Sequence, residues 1–144
     1  MLPDGRRLGA HLPLGTGMVK AVERAREIGA DAIQVFSDNP TAWRRRAAPP
    51  PELPAFRERL DAYGIEPVSI HAAYLVNLAG PDPGFWQRSV EILAHELQTG
   101  PGFWARYVNV HIGSHRGAGL KEGTRRLAEG VARAFESFED PPET

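Results

Sequence analysis

Four segments with strand character alternate with four segments of helical apolar spacing along this chain of 144 residues. The predicted strands span residues 7–12, 31–36, 65–71 and 107–111, and a loop and a helix follow each of them. Strands in such alternating units pair in parallel through right-handed helical crossovers. The alternation therefore predicts an α/β fold of about four βα units, with residues 1–144 in a single domain.

Residues with known capping preferences mark the ends of the predicted helices. Thr16 is the predicted N-cap of the first helix, and Asp82 is the predicted N-cap of the third. Glycines at 29, 64 and 100 end the first three helices, because glycine adopts the left-handed conformation that follows many helices. The fourth helix is predicted from an apolar stripe and ends at Asp140; the stripe consists of Leu127, Val131, Phe135 and Phe138.

Two topologies accommodate this pattern of elements. One is an open, doubly wound sheet, and the other is part of a (β/α)8 barrel. In both topologies the functional groups gather at the carboxyl ends of the parallel strands. We therefore look for chemistry in the residues that directly follow each strand.

The composition excludes several kinds of site. The chain has no cysteine, so disulfides, thiolate zinc sites and cysteine nucleophiles are excluded. The net charge of −1 does not indicate a strongly basic nucleic-acid binder, although it leaves room for a local basic patch. No stretch approaches the roughly 18 consecutive apolar residues of a membrane span, and no signal peptide is apparent. We expect a cytoplasmic protein that has no membrane partner.

Three of the five histidines fall at the carboxyl ends of predicted strands. These are His11, His71 and His111, and His115 follows in the next loop. Neutral imidazole is the commonest metal ligand and suits zinc well, whereas a single strand-end histidine is more often a hydrogen-bonded structural residue. A catalytic zinc takes three protein ligands, and Asp38 is the only acid directly after a strand.

The loop after the second strand joins Asn39 and Trp43 to the basic residues Arg44, Arg45 and Arg46. Guanidinium groups beside an aromatic ring suit a nucleic-acid backbone, through phosphate pairing and stacking. The alternative interpretation is a solvated basic linker. The segment after the third strand carries few charges, which indicates an ordered loop. In that loop Tyr74 is either a core ring or a stacking wedge.

Four segments carry a specific pattern in chain order. They are Leu8-Gly9-Ala10-His11 with Gly15 and Gly17, residues 36–39 continuing to Trp43, residues 71–78 (HAAYLVNL) and residues 109–115 (NVHIGSH). Together they resemble the N-terminal half of endonuclease IV, the zinc-dependent apurinic/apyrimidinic endonuclease of DNA repair. The resemblance runs from about Leu8 to about Phe138, and the last two segments are its most specific parts.

The resemblance implies a (β/α)8 barrel with three zinc ions at the carboxyl ends of its strands. It assigns His71 and His111 as two ligands of one zinc, with His11, Asn77 and His115 lining the site. The family reaction is hydrolysis of the phosphodiester 5′ to an abasic site. Several zinc ions in one site neutralise the phosphate and activate water at neutral pH.

The resemblance also implies DNA containing abasic sites as the partner. Tyr74 matches a residue of a loop that penetrates DNA, and residues 39–43 match a second loop that contacts DNA. The implied DNA-binding residues are Asn39, Trp43, Arg44, Arg45 and Tyr74. The sequence departs from the family at Thr41, which occupies the position of an inserting arginine, and at Ile112, which replaces a proline.

A barrel of this type takes about 250 residues, so this chain corresponds to about half of one. The family's remaining zinc ligands begin on the fifth strand, and Glu143 precedes the expected position of that strand. We therefore expect the chain alone to lack a complete zinc site and to be inactive on DNA. The first and fourth strands would be open edges and the inner apolar face would be uncovered, which predicts self-association.

Two other functions stay open on the residues alone. One is a sugar isomerase or epimerase of the related barrel type, which holds its metal with carboxylates and histidine. The Trp43 loop and residues 111–115 argue against that function. The other is a non-catalytic half-barrel, either a DNA-binding remnant or an inert product.

Overall fold

A computed structural model describes residues 2–139, with side chains as far as residue 137. The elements are β1 (Gly9–His11), α1 (Met18–Glu27), β2 (Ala32–Val35), α2 (Leu53–Tyr63), β3 (Val68–His71), α3 (Pro83–Thr99), β4 (Ala105–Asn109) and α4 (Leu120–Glu139). They belong to two compact units. The first comprises the chain up to Ser37, Arg46–His71 and Thr99–Asn109, and the second comprises Asp38–Arg45, Ala72–Gln98 and the chain from Val110 onward.

The first unit contains one sheet whose strand order follows the chain order, β1-β2-β3-β4. All three neighbouring pairs are parallel. A doubly wound sheet reverses its strand order at a switch point, whereas a barrel adds each strand beside the previous one. The sheet therefore confirms the predicted parallel α/β fold. It favours the (β/α)8 barrel, and the four strands with their helices are four of its βα repeats.

One face of the sheet carries the hydrophobic core of the first unit. α1 and α2 pack against each other, and Val22 and Phe56 are among their fully buried side chains. The ring of Phe103 lies 6.0 Å from the ring of Phe56 in an edge-to-face contact. Strand side chains alternate between the two faces of a sheet. Those that join this core are Ile33, Val35, Val68 and Ile70.

The opposite face of the sheet is mainly polar. His11 lies opposite Gln34 in the register of β1 and β2, and Gln34 lies opposite Ser69 of β3. His71 in turn lies opposite Asn109 of β4. Tyr107, opposite Ser69, is a large exposed residue on this face, so the expected uncovered inner face is mixed and mainly polar. Because side chains alternate along a strand, the apolar residues face α1 and α2 and the polar residues are left on the second face.

The start of α1 differs from its prediction. Gly17, not Thr16, is the N-cap, and its φ of 122° is a conformation that residues other than glycine rarely adopt. The N–H of Met18 donates to Oε2 of Glu52 at 2.6 Å, so a residue just before α2 satisfies the first turn of α1. Thr16 lies one residue before the N-cap, and its hydroxyl does not cap the helix.

The other helix ends follow the sequence more closely. Gly29 follows the C-cap residue Ile28 of α1 and Gly64 directly follows α2, with φ values of 74° and 62°, as predicted. The N–H of Phe85 donates to Oδ1 of Asp82 at 2.6 Å, which confirms the predicted N-cap of α3. The predicted end of α4 at Asp140 lies outside the described residues.

β4 lies two residues earlier in the chain than predicted. A 3₁₀ helix, Gly100–Phe103, follows α3, and Trp104 ends it in the left-handed conformation with a φ of 55°. The strand therefore begins at Ala105 and ends at Asn109. As a consequence His111 is not a strand-end residue. It lies two residues beyond the strand, in an exposed loop.

The second unit contains α3, α4 and three loops. Nε1 of Trp86 on α3 donates to the carbonyl of Arg126 on α4 at 3.2 Å. At Gly130 of α4 an added Cβ would lie 2.9 Å from Cδ2 of Leu78, so the helix backbone closely approaches the loop before α3. Within residues 2–139, no helix is both long and apolar enough to cross a membrane.

The fourth helix is confirmed, but its predicted apolar stripe is not its most buried face. Gly123, Gly130 and Ala134 are buried, and they lie on one side of α4. Of the stripe, Leu127 and Val131 are half-buried and Phe135 is exposed, while the side chain of Phe138 lies outside the described part. Small residues occupy the buried side because the helix backbone itself comes close to its neighbours there.

Candidate functional site

A row of hydrogen-bonded polar side chains crosses the polar face of the first unit. Nε2 of Gln34 lies 2.9 Å from Nδ1 of His11, and Nδ2 of Asn109 donates to Oε1 of Gln34 at 3.2 Å. In this arrangement the amide nitrogen of Gln34 donates and Nδ1 of His11 accepts. Gln34 and Asn109 were not identified from the sequence, although both alternate with apolar residues along their predicted strands.

A cluster of three rings lies beside this row of side chains and consists of His11, Phe36 and His71. The centroid of the His11 ring lies 4.6 Å from that of Phe36 and 5.8 Å from that of His71. The Phe36 and His71 rings are 5.1 Å apart. Burial of the His11 imidazole, and secondarily the proximity of His71, lower the pKa of His11. Both strand-end histidines of the first unit therefore lie in one partly apolar environment.

His71 is suited to bind a metal, but the described donors do not complete a site. Its side chain is buried at the end of β3, where a neutral imidazole can act as a zinc ligand. Among residues 2–139, however, no group of three or more histidine or carboxylate side chains could hold a metal ion together. A catalytic zinc requires three protein ligands. The side chains of residues 2–139 therefore do not form a complete metal centre.

In the second unit, Arg45 points into the loop and not toward solvent. Nη2 of Arg45 donates to the carbonyl of Asn39 at 2.7 Å and also to the carbonyl of Ala42. Nη1 lies 3.6 Å from Oε1 of Glu96 on α3, and the two side chains are 10% and 1% exposed. This buried ion pair fastens the 38–45 loop to α3, so Arg45 is placed differently from its exposed neighbour Arg44. Glu96 was not identified from the sequence.

The outer part of the same loop presents Asn39 and Arg44 to solvent. Oδ1 of Asn39 accepts hydrogen bonds from the backbone N–H and the hydroxyl of Thr41, at 3.0 and 2.9 Å. Thr41 thus stabilises the turn of this loop. Trp43 is half-buried, and its ring contacts the edge of the Phe85 ring, with 4.8 Å between the ring centroids.

The backbone of Tyr74 is hydrogen-bonded to a neighbouring loop, and its side chain is exposed to solvent. Its N–H donates to the carbonyl of Pro40 at 3.0 Å, which joins the loop after β3 to the 38–45 loop. Its side chain is 57% exposed, and its ring lies 6.3 Å from the ring of His111. The wedge interpretation of Tyr74 therefore agrees better with its position than the core interpretation does.

Tyr74 and His111 line an open cavity of about 790 Å³ in the second unit, together with Asn77, Phe85, Ser114 and Arg116. Asn77 fixes the shape of its wall. Oδ1 of Asn77 accepts the N–H of Ser114 at 2.9 Å, and Nδ2 donates to the carbonyl of Ser114 at 3.1 Å. The loops at 72–82 and 110–119 are thereby joined through one amide side chain.

His115 stabilises its own loop. Its Nδ1 accepts the N–H groups of Gly117 and Gly119, each at 3.2 Å. An added Cβ at Gly123 would lie 2.7 Å from Cβ of His115, so α4 closely approaches this residue. His115 is half-buried, and the accepting nitrogen is fully used within the loop.

Comparison with known proteins gives a consistent family. Residues 22–141 match the family described as xylose isomerase-like TIM barrel. A protein named probable endonuclease 4 from Thermotoga petrophila is 37% identical over 136 residues, which cover 93% of this chain and 47% of that protein. The crystal structure of endonuclease IV from Thermus thermophilus matches with a TM-score of 0.79 and 37% identity, over 94% of this chain and 48% of that one.

The fold also occurs in more distant proteins. D-psicose 3-epimerase from Clostridium cellulolyticum matches with a TM-score of 0.63 at 13% identity, over 93% of this chain and 49% of that structure. At this identity the likeness concerns the fold alone. The chain spans about half the length of the curated relatives that it matches.

Proposed function

The chain belongs to the xylose isomerase-like TIM-barrel family, and on this premise we propose that it is the N-terminal half of a DNA-repair endonuclease of the endonuclease IV type. The complete enzyme would hydrolyse the phosphodiester 5′ to an abasic site in a zinc-dependent reaction. The relatives named endonuclease 4, at 37% identity in the first case, support this class of nuclease.

One observation carries the proposal: the exposed ring of Tyr74 stands on a loop whose backbone is fixed. The hydrogen bond to Pro40 and the two hydrogen bonds between Asn77 and Ser114 hold the surrounding loops in place. A rigid loop with an exposed aromatic ring can enter a duplex where stacking is weak. An abasic nucleotide is such a weak point, because it has no base to unpair.

The other proposed DNA contacts are Asn39, Trp43 and Arg44 of the 38–45 loop. Arg44 is exposed and could pair with a backbone phosphate. Arg45 would act from inside the loop, since its guanidinium is bonded to the loop carbonyls and lies next to Glu96. We therefore assign Arg45 to positioning the loop and not to direct contact with DNA.

We propose His71 and His111 as zinc ligands of the complete enzyme. Each offers an imidazole, but within the described residues no group of three metal-binding side chains exists to complete a site. The other ligands would come from a part of the family protein that this chain does not span. His11, whose Nδ1 accepts from Gln34, would line the site beside His71.

A nicking assay tests this division of roles. A duplex with one abasic site, incubated with the chain and zinc, should show no cleavage above background. Cleavage that is lost in His71→Ala would overturn the proposal that the chain lacks a complete site. The zinc content of the purified chain distinguishes a partial site from a half-barrel that binds no metal.

The sugar isomerase alternative has support only from the shared fold, at 13% identity in the case of the epimerase. No observation on the described residues favours it. The cavity around Tyr74 contains His111, Ser114 and Arg116 but no carboxylate. A chain that binds abasic DNA but takes up no zinc would instead support a DNA-binding half-barrel.

We also propose that the chain self-associates through its sheet edges. Within the described residues β1 and β4 each pair with only one neighbouring strand. Unpaired strand edges are templates for pairing with another chain, and two such four-stranded sheets would supply the eight strands of a barrel. Light scattering should find species larger than a monomer, and a monodisperse monomer at moderate concentration would contradict this proposal.

A further inference from the structure

We infer that Arg88 of α3, together with Arg44, binds one backbone phosphate of the DNA in a cavity beside Trp43. The cavity has a volume of about 360 Å³, and its walls are Trp43, Arg44, Arg45, Arg88, Glu91 and Ile92. The inference rests on the proposed function, because it names a further contact with the same nucleic-acid partner.

Trp43 fixes the direction of the Arg88 side chain. The guanidinium carbon of Arg88 lies 5.7 Å from the centroid of the Trp43 ring, within the range of a cation–π contact. Trp43 is itself held by an edge-on contact with Phe85, at 4.8 Å between ring centroids. The arginine head is therefore directed along the cavity wall while its charge stays accessible.

Two guanidinium groups at this cavity have no carboxylate partner in the described part of the chain. Arg44 and Arg88 are exposed, and neither forms an ion pair there. Some exposed helix arginines do have such a partner: Arg24 pairs with Glu27 at 3.0 Å, and Arg125 pairs with Glu122 at 2.7 Å. Among the described side chains, Arg26 of α1 also lacks an ion pair and lies over the ring of Tyr63, but Arg44 and Arg88 share one cavity wall, which leaves two guanidinium groups available to a single anion.

The interior of the cavity explains why its outer arginines stay unpaired. Arg45 is already paired with Glu96 and bonded to the loop carbonyls. Glu91 is the only carboxylate on the cavity wall, and its Oε1 accepts from Nε2 of Gln87 at 3.1 Å. An anion bound between Arg44 and Arg88 would therefore be attracted by two available guanidinium groups and repelled by the carboxylate of Glu91.

A phosphodiester is the anion that best fits these groups. The planar guanidinium matches phosphate oxygens with two parallel hydrogen bonds, and two such forks can bind one phosphate. A phosphate contact fixes the position of the duplex and carries no sequence or lesion information. Arg88 should therefore strengthen binding to undamaged and abasic duplexes equally.

The salt dependence of DNA binding tests the inference. We would measure the affinity of the chain for a short duplex by fluorescence anisotropy at several salt concentrations, with and without a central abasic analogue. Arg88→Gln should lower the slope of log K against log salt by about 0.9 and weaken binding about tenfold at roughly 0.1 M salt. Arg88→Lys should retain the slope, because the positive charge remains.

Two further variants sharpen the comparison. Glu91→Gln should tighten binding, since it removes the repelling charge of the cavity. Arg24→Gln removes the same charge as Arg88→Gln from an exposed ion pair of α1, and it should leave the slope unchanged. The double variant Arg44→Gln/Arg88→Gln should lose less affinity than the sum of the single losses, because both groups serve one phosphate.

A duplex with neutral methylphosphonate linkages identifies the recognised group. On this probe Arg88→Gln and the wild-type chain should bind equally. An unchanged salt slope in Arg88→Gln, with wild-type DNA binding present, would overturn this inference and leave the proposed function standing. Absence of any DNA binding by the wild-type chain would refute the proposed function and this inference together.

Discussion

Gly113 lies so close to the side chain of Asn77 that a Cβ on Gly113 would be 2.0 Å from Oδ1 of Asn77. The same oxygen accepts the N–H of Ser114, the next residue in the chain. The hydrogen bond and the absence of a side chain at position 113 therefore depend on each other. This contact joins the two loops that carry Tyr74 and His111.

Gly113→Ala should destabilise the chain more than a backbone effect alone can explain. Both Gly113 and Gly117 have positive φ, at 87° and 88°, but an added Cβ at Gly117 meets nothing within 4 Å. Gly117→Ala therefore measures the cost of the left-handed conformation, about 1–2 kcal/mol. In urea unfolding Gly113→Ala should cost clearly more than this control, and equal costs would show that the contact with Asn77 relaxes freely.

Substitution of Asn77 should show which of its two hydrogen bonds stabilises the loops. Asn77→Asp keeps the acceptor for the Ser114 N–H and removes the donor to the Ser114 carbonyl. We expect Asn77→Ala to cost about 1–3 kcal/mol, because backbone groups lose their partners. Asn77→Asp should be destabilising by an intermediate amount. Gln87→Ala, which removes only an exposed side-chain contact on α3, serves as the control and should change stability by less than about 0.5 kcal/mol.

Removing one partner of the Arg45–Glu96 pair should destabilise the chain strongly, whereas replacing both partners by apolar residues should destabilise it less. Glu96→Gln leaves a buried guanidinium without its counter-charge, which typically costs about 3–5 kcal/mol. Nε and Nη1 of Arg45 lack hydrogen-bond partners within the described residues, so the pair is not fully satisfied even in the wild type. Arg45→Met/Glu96→Leu should therefore be more stable than Glu96→Gln.

Urea unfolding of these variants checks this ordering. Arg24→Gln breaks an exposed pair with Glu27 and should cost less than about 1 kcal/mol. If Glu96→Gln costs no more than Arg24→Gln, then the pair does not hold the 38–45 loop on α3. Increased tryptic cleavage after Arg44 in Glu96→Gln would independently indicate that the loop has been released.

His95 should make the folded chain less stable in mild acid. Burial, and secondarily the positive charge of Arg45, lower the pKa of His95, while Asp38 opposes this shift. The unfolded state, with a histidine pKa of about 6.5, therefore binds the proton first. The contribution of His95 to stability is complete above that pH and declines as the pH falls below it.

We would measure unfolding free energies at about pH 7.5 and pH 5.5, on either side of the ordinary histidine pKa. The loss on acidification should be smaller in His95→Gln than in the wild type. Gln98→Ala, another change on α3 at a residue that does not titrate, should keep the wild-type pH dependence. An equal loss in His95→Gln and wild type would contradict the lowered pKa.

The alternation of elements was sufficient to predict the parallel sheet, because local apolar spacing determines which faces can be buried. Tyr74 and His71 could also be located, since His71 ends and Tyr74 follows a strand that the sequence defines well. The N-cap of α1 could not be predicted, because Glu52 reaches it from 34 residues along the chain. Such a contact leaves no local signal.

The different surroundings of the two arginines of the 38–45 loop could not be predicted from the sequence. Arg44 and Arg45 are adjacent and of one type, yet Arg44 is exposed and Arg45 is paired with Glu96. Their directions depend on the backbone of the loop and on α3. The end of β4 was similarly predicted two residues too late, at His111, because the 3₁₀ helix ends at Trp104 and the strand begins earlier than its apolar pattern suggests.

The affinity of the chain for a duplex with one abasic analogue, relative to the same duplex undamaged, tests the DNA-repair assignment most directly. We predict tighter binding to the abasic duplex, with the preference abolished in Tyr74→Ala while binding to the undamaged duplex stays the same. Equal affinity of the wild-type chain for both duplexes would contradict the assignment.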